Sequence, residues 1–414
     1  MHLSEHLFRR ESGRLVAALT RIFGVSNLPL VEDVVQDAFC RALELWKVHG
    51  VPENPAAWLM SVAKHRALDV VRRERTARNF AAEFSRMLES EWTLVPTVDE
   101  AFGASVIRDE QLRMMFSCCH PRLSEEAQVA LVLNILCGFG AGEIAAAFLT
   151  SRAAVEKRIS RGKRVLAGSK RLFNLADAEF AARLSAVRRA LYLLFNEGYH
   201  GASKTAVREE LCNEAIRLVS LLLEFPKAAS PETIALAAMM CLHAARLPTR
   251  LSEAGDFSPL SSQERARWDA RRIAQGLAFL DRSAAGSVVT AYHLEAAIAA
   301  IHVTAPNVNE TNWAAIVTLY DRLMALAPSP VVALNRAVAI GQRDGPERGL
   351  DALRAIPDRD KLRGYPFYPA AMGELECRRG NAAAARRLFS AAATLARNGV
   401  ERRFLEQRVR DCMV

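Results

Sequence analysis

The chain has 414 residues, 51% of them hydrophobic, and 55 Lys and Arg against 46 Asp and Glu leave a net charge of +9. That is apolar material for two or three domains of about 100–200 residues, which excludes a disordered chain. The basic excess suits a polyanionic partner, while no apolar run reaches the ~18–20 residues of a membrane span and the N-terminus carries no signal-peptide core, so a cytoplasmic location is expected.

Strand signals are nearly absent and apolar residues recur three and four positions apart, which predicts an all-α fold. The first block reads as helices near His6–Phe23, Leu30–Lys47 and Pro55–Arg78, with loops at Gly24–Pro29 and Val48–Asn54. In the second helix, Asp33, Gln36, Asp37 and Arg41 share one face, and Val34, Val35, Ala38, Phe39, Ala42 and Leu45 supply the buried side. In the third, Trp58, Leu59, Val62, Ala63, Leu68 and Val71 form an apolar stripe beside Lys64, Arg66, Arg72 and Arg73. Asn54–Pro55 opens it with a cap and a Pro at the first position. A basic helix that begins at an aromatic-flanked loop suits capture of single-stranded DNA, because cations hold phosphates and a pocket receives an unstacked base.

Between Thr76 and Ser105 the periodicity weakens and the composition turns acidic, which marks a linker, bounded here at residues 79–108. The segment Gly138–Leu166 then reads as two short helices around a tight turn. Glu143–Phe148 form the first helix, Leu149–Thr150 the turn, and Ser151 caps the second helix. Val155, Ile159 and Leu166 point inward, and Lys157, Arg161 and Arg164 occupy another face. This is the layout of a helix-turn-helix, whose second helix docks in the major groove, although an isolated amphipathic helix with solvated cations carries the same pattern.

Beyond Ser169–Lys170 the chain stays helical. Val331–Ile356 and Phe367–Ala396 read as successive hairpins, and the offset from Ala337 to Gly373 is close to the 34-residue tetratricopeptide period. Tyr292–Thr304, Trp313, Tyr320 and Ala327–Pro328 fit an earlier hairpin, and a plain helical bundle is the alternative. Cys118–Cys119–His120 is expected to be packing rather than a metal site, since adjacent Cys are poorly placed to close a tetrahedron. Asn196–His200 (NEGYH) reads as a helix-ending turn capped by Gly198. No nucleotide loop, metal motif or catalytic triad is found, so neither enzymatic activity nor a cofactor is expected.

DVVQDAF (Asp33–Phe39), followed by NPAAWLMSVAKHRALDVVRR (Asn54–Arg73), resembles region 2 of extracytoplasmic-function sigma factors of bacterial RNA polymerase. Asp109–Ala167 resembles their region 4. FSCCHPRLSEEAQVAL, LYLLFNEGYHGAS and the helical tail resemble the subgroup with a long C-terminal tetratricopeptide-type extension. The resemblance implies region 2 at 1–78, region 4 at 109–170, a helical extension at 171–290 and repeats at 291–414.

It further implies that Asp33, Gln36, Asp37 and Phe39 dock on the clamp of the polymerase's largest subunit. The loop Val48–Asn54 would take a flipped base of the −10 element, with Asn54, His49 and Trp58 near the pocket; Trp58 fits the core equally well. Lys64, Arg66, Arg72 and Arg73 would contact phosphates. On the second helix of region 4, Glu156, Lys157, Ser160 and Arg161 would face −35 base edges, where Arg pairs with guanine and Glu accepts from cytosine. Arg152, Arg158 and Arg164 would grip phosphates, and Leu123–Leu136 would face the polymerase flap. The implied partners are core polymerase, promoter DNA and a regulatory protein on the tail. The competing reading is a helix-turn-helix activator with a sensory repeat domain, which needs neither a clamp-binding helix nor a strand-capture loop.

Overall fold

The structure, a computed structural model, describes residues 2–77, 104–147, 150–168, 180–200, 207–253 and 255–412. Among them regular structure is helical, apart from one isolated antiparallel bridge between Leu251 and Phe257. The chain divides into two compact units, residues 1–194 and 195–414.

The first unit opens with α1 (His2–Phe23), α2 (Leu28–His49) and α3 (Pro55–Ala77). Helix α2 starts two residues before the expected Leu30, because Pro29 falls in its first turn, where a missing N–H costs nothing. It also runs on to His49, so the expected loop from Val48 shrinks to Gly50–Asn54, opened by Gly50 at φ +78°. Val31, Val34, Val35, Ala38 and Ala42 are buried along one stripe of α2. Asn54 caps α3 as expected, its side chain accepting from the Ala57 N–H at 3.0 Å. The linker residues 78–103 lie outside the described residues, but helix α4 (Ala104–Cys118) already includes residues 104–108, which were expected to be linker.

Helices α5 (Glu125–Ile135), α6 (Ala141–Ala147) and α7 (Arg152–Ala167) complete the second module. Helix α5 is apolar almost all round, and Ala127, Val129–Leu133 and Ile135 are buried. Full burial of a residue such as Leu131 contributes roughly 1.5–3 kcal/mol. Ser151 caps α7 as read from the sequence, accepting from the Ala154 N–H at 3.2 Å, and Val155, Ile159 and Leu166 are buried. Gly162 is buried with them: a Cβ there would lie 2.5 Å from Leu131 Cδ1, so only glycine lets α7 seat this closely on α5. Phe148, Leu149, Ser169 and Lys170 lie outside the described residues. Cys118 and Cys119 are buried, and burial pushes the Cys119 thiol up to about 12, as expected for packed thiols.

The modules around α2 and α7 are packed together within this unit. Gly13 of α1 meets the Leu136 backbone so closely that a Cβ would lie 2.1 Å from its carbonyl oxygen. Arg21 of α1 approaches Glu110 of α4 at 3.6 Å.

Helix α8 (Phe180–His200) spans the boundary between the units. Here the structure corrects one expectation: Gly198 lies inside α8 rather than capping it. Its missing Cβ leaves room for the returning chain, since one would fall 2.8 Å from Arg208 O and from Cys212 N. The Arg208 N–H donates to Gly198 O at 2.8 Å across this approach.

The second unit continues through α9 (Glu209–Glu224), α10 (Pro231–Ala244), α11 (Ala270–Ser283), α12 (Ala291–Thr304) and α13 (Trp313–Leu326). It ends with α14 (Pro330–Asp344), α15 (Pro346–Arg354), α16 (Phe367–Arg378), α17 (Ala382–Thr394) and α18 (Gly399–Asp411). Its cores pass from pair to pair. Leu242, Trp268, Ala299 and Val303 form one cluster, Ile298, Ile316, Val317 and Ala339 the next, and Leu334, Leu350 and Leu375 belong to a third. Gly341 and Gly349 bring α14 and α15 together, a Cβ on Gly349 falling 2.7 Å from Gly341 Cα.

Candidate functional site

The alternation along α2 turns Asp33, Gln36, Asp37 and Arg41 outward while the valines face the core. Asp33 and Gln36 are exposed. Asp37 is also exposed, yet it accepts from Arg66 of α3 through Nε at 2.8 Å and Nη2 at 2.7 Å. One residue expected to face the polymerase and one expected to face DNA are therefore paired with each other.

Phe39 takes a different place. It is half-buried, its ring edge-on to Phe8 at 4.7 Å, and the row continues through Phe8–Trp46 at 6.3 Å to Trp46–Trp58 at 5.4 Å. Trp58 is thus half-buried at the end of an aromatic row and still borders the loop. In and before that loop, His49 and Asn54 are exposed, as are Val48 (77%) and Val51 (57%). These bared valines border the same loop as Asn54 and the half-buried Trp58. These two valines were not singled out in the sequence, although a valine on each side of Gly50 was a visible signal. Lys64 is half-buried, and Arg72 and Arg73 are exposed.

On α7, burial of Val155, Ile159, Gly162 and Leu166 leaves Arg152, Glu156, Lys157, Ser160, Arg161 and Arg164 exposed, with Arg158 half-buried. Lys157, Ser160, Arg161 and Arg164 recur at three- and four-residue spacing and form one continuous outer strip. Arg152 is held by Glu156, its Nε donating at 2.7 Å one turn along. The strip beyond Glu156 can donate in forked geometry to base edges or phosphates.

The structure also joins α2 and α7, through residues not singled out in the sequence. Lys163 Nζ donates to Glu32 Oε1 at 2.5 Å, with both side chains about one quarter exposed. Among the described residues no group of three or more His, Cys, Asp or Glu side chains is arranged to hold a metal ion, and no helix is long and apolar enough to cross a membrane.

Residues 7–77 match the family Sigma-70 region 2, and residues 113–166 match Sigma-70, region 4. Residues 183–284 match a family of unknown function, DUF6596. An uncharacterised protein of Rhizobium meliloti (strain 1021) is 38% identical over 399 residues, covering 95% of this chain and 92% of that protein. No solved structure matches the chain.

Proposed function

The chain belongs to the extracytoplasmic-function sigma factors that carry a C-terminal extension, and from that premise we propose which of its surfaces meet polymerase and promoter. A sigma factor binds core RNA polymerase and directs it to promoters. The observation that carries the assignment is the pair of outward strips, Asp33–Gln36–Asp37 on α2 and Lys157–Ser160–Arg161–Arg164 on α7, each backed by a buried apolar stripe.

In this reading the α2 strip docks on the basic clamp of the largest polymerase subunit. Phe39 supports that strip from behind rather than touching the clamp, because its ring is engaged with Phe8. Val48, Val51 and Asn54 line the approach to a pocket for an unstacked −10 base, with Trp58 forming its aromatic floor; Lys64, Arg66, Arg72 and Arg73 hold the adjacent phosphates. On α7, Lys157, Ser160 and Arg161 read −35 base edges while Arg158 and Arg164 hold phosphates. Arg152 and Glu156 act together, since their ion pair orients both at the N-terminal end of the helix. The tail, read as tetratricopeptide-like repeats, regulates access and offers a surface to a regulatory protein.

The two modules must part to do this. Elements near −10 and −35 lie about 25 base pairs apart, roughly 85 Å at ~3.4 Å per pair. Fully extended at ~3.3–3.6 Å per residue, the 26 residues between Ala77 and Ala104 reach about 90 Å. The contacts of Gly13 with Leu136 and of Glu32 with Lys163 therefore belong to a closed form that promoter engagement opens.

Footprinting of the assembled holoenzyme tests the assignment. Protection is expected at two separated elements, the upstream one lost in Arg161→Ala and the downstream one in a Lys64/Arg72/Arg73 alanine variant. Loss of both elements together in either variant contradicts the division of labour.

A further inference from the structure

The second unit holds two kinds of buried or half-buried arginine. Arg208 and Arg217 meet carboxylates, Glu197 and Glu214, each at 2.8 Å. Arg246, Arg250 and Arg265 meet none: among the described residues no carboxylate lies within ion-pair distance of any of them. Arg246 is 8% exposed and Arg250 4%.

Every acceptor they find among the described residues is neutral. Arg246 Nε donates to Gln263 Oε1 at 3.1 Å, and its terminal nitrogens donate to no described protein atom. Arg250 Nη2 donates to Tyr199 O at 2.9 Å and approaches His200 Nδ1 at 3.3 Å. Arg265 Nη1 donates to the carbonyls of His302 and Ala305. Aromatic faces complete the setting: the Arg250 guanidinium lies 4.1 Å from the Tyr199 ring centre, and Arg246 and Arg265 lie 5.7 and 4.8 Å from that of Trp268. Cation–π contact offsets part of the desolvation of these charges, but it supplies no counter-charge.

The same cluster carries a set of buried polar atoms without partners. Among the described residues, Tyr199 OH, Arg250 Nε, Arg265 Nη2, His243 Nδ1 and His302 Nδ1 each lack a hydrogen-bond partner. Tyr199 itself is 2% exposed, and its ring touches His243 at 5.2 Å. Native interiors rarely leave so many donors unmet in one place. Burial and the neighbouring guanidiniums hold His243 and His302 neutral, at about 3 and about 4, so the site carries positive charge on arginine alone.

We infer that Arg246, Arg250, Arg265, Tyr199, His243 and His302 form a binding site for a small molecule bearing an oxyanion, a phosphate or a carboxylate. Guanidinium forks match both groups in geometry and charge, the phenol and neutral imidazoles can donate to further oxygens, and Tyr199 and Trp268 offer flat apolar walls. The depth of Tyr199 and Arg250 favours a small molecule over an acidic macromolecular surface. This site lies outside the surfaces assigned to polymerase and promoter, and its test does not depend on them.

Calorimetric titration of the full chain with inorganic phosphate, pyrophosphate and citrate, against chloride at equal ionic strength, tests the inference. At least one oxyanion is expected to bind saturably with one site per chain and to raise the unfolding temperature. Preference for phosphates or for citrate identifies the source of the oxyanion. Arg246→Gln is expected to weaken binding at least tenfold, and the exposed-site control Arg343→Gln is expected to bind as the parent does. Should Arg246→Gln fail to fold, Tyr199→Phe, which removes only an unpartnered hydroxyl, carries the test with a loss of at least threefold. Absence of saturable binding by all three anions, or parental affinity in folded Arg246→Gln or Tyr199→Phe, overturns the inference.

Discussion

Lys163 of α7 is bonded to Glu32 of α2 at 2.5 Å, joining the helix assigned to −35 DNA to the helix assigned to the polymerase clamp. Both side chains keep about one quarter of their exposure, so screening limits the pair to about 0.5–1 kcal/mol. The backbone approach at Gly13 is the more sensitive point, since a Cβ there would overlap Leu136 O at 2.1 Å. Gly13→Ala is therefore expected to open the two modules while each keeps its helices. Spin labels at Glu53 and Ser160 should show a longer, broader distance distribution in Gly13→Ala, and an unchanged distribution contradicts the closed form. Lys163→Ala should shift the same equilibrium by only two- to fivefold.

The α2 strip supports a second expectation. Asp33 is exposed, so Asp33→Arg should leave thermal stability within about 0.5 kcal/mol of the parent while lowering affinity for core polymerase at least tenfold. Asp37→Arg should have a larger effect on fold and binding together, because it also places a cation against Arg66. Co-purification of Asp33→Arg with core at parental yield contradicts the assignment of this face.

On α7 the expected contrast is between reading and gripping. Arg161→Ala should cost about 1–3 kcal/mol on a matched −35 probe and relax discrimination at one position. Arg158→Ala should weaken all probes alike and reduce the salt slope by about one. Affinities on matched and mismatched duplexes at fixed salt separate the two, and uniform loss in Arg161→Ala contradicts its role as a reader.

Much of this was legible in the sequence wherever one helix face decides the outcome. Val155, Ile159 and Leu166 repeat at helical spacing and are buried, Ser151 caps α7, and Asp33, Gln36 and Asp37 turn outward. Pairings between distant segments were not legible, because residues 37 and 66, or 32 and 163, meet only after helices pack. Glycine misled for a related reason. Gly198 reads locally as a cap, but its function depends on Arg208, just before α9, and Cys212 within it approaching it. The clustered arginines of the second unit look like surface cations in a basic sequence, and only folding brings Arg246, Arg250 and half-buried Arg265 together around Tyr199 and Trp268.

That cluster also sets a pH dependence. His243 and His302 sit at about 3 and about 4 in the folded chain, chiefly through burial, against 6.5 when unfolded. Arg246, Arg250 and Arg265 oppose their protonation, and burial, followed by Arg250, His243, Arg246 and Arg397, holds His200 well below its ordinary value. Below pH 6.5 the unfolded chain binds more protons than the folded one, so stability is full above that value and falls as pH drops toward 4. Thermal unfolding between pH 7.5 and 4.5 should show this decline, flattened in His243→Gln. A stability independent of pH across that window contradicts the buried neutral pair.

Run-off transcription with purified core polymerase tests the central claim most directly, that this chain gives polymerase its promoter specificity. With the full chain and core alone, transcripts of one defined length should appear from a template carrying its promoter, and none should appear with core or with the Asp33→Arg variant. Transcription that requires a second sigma factor, or that starts at the same site without this chain, contradicts it.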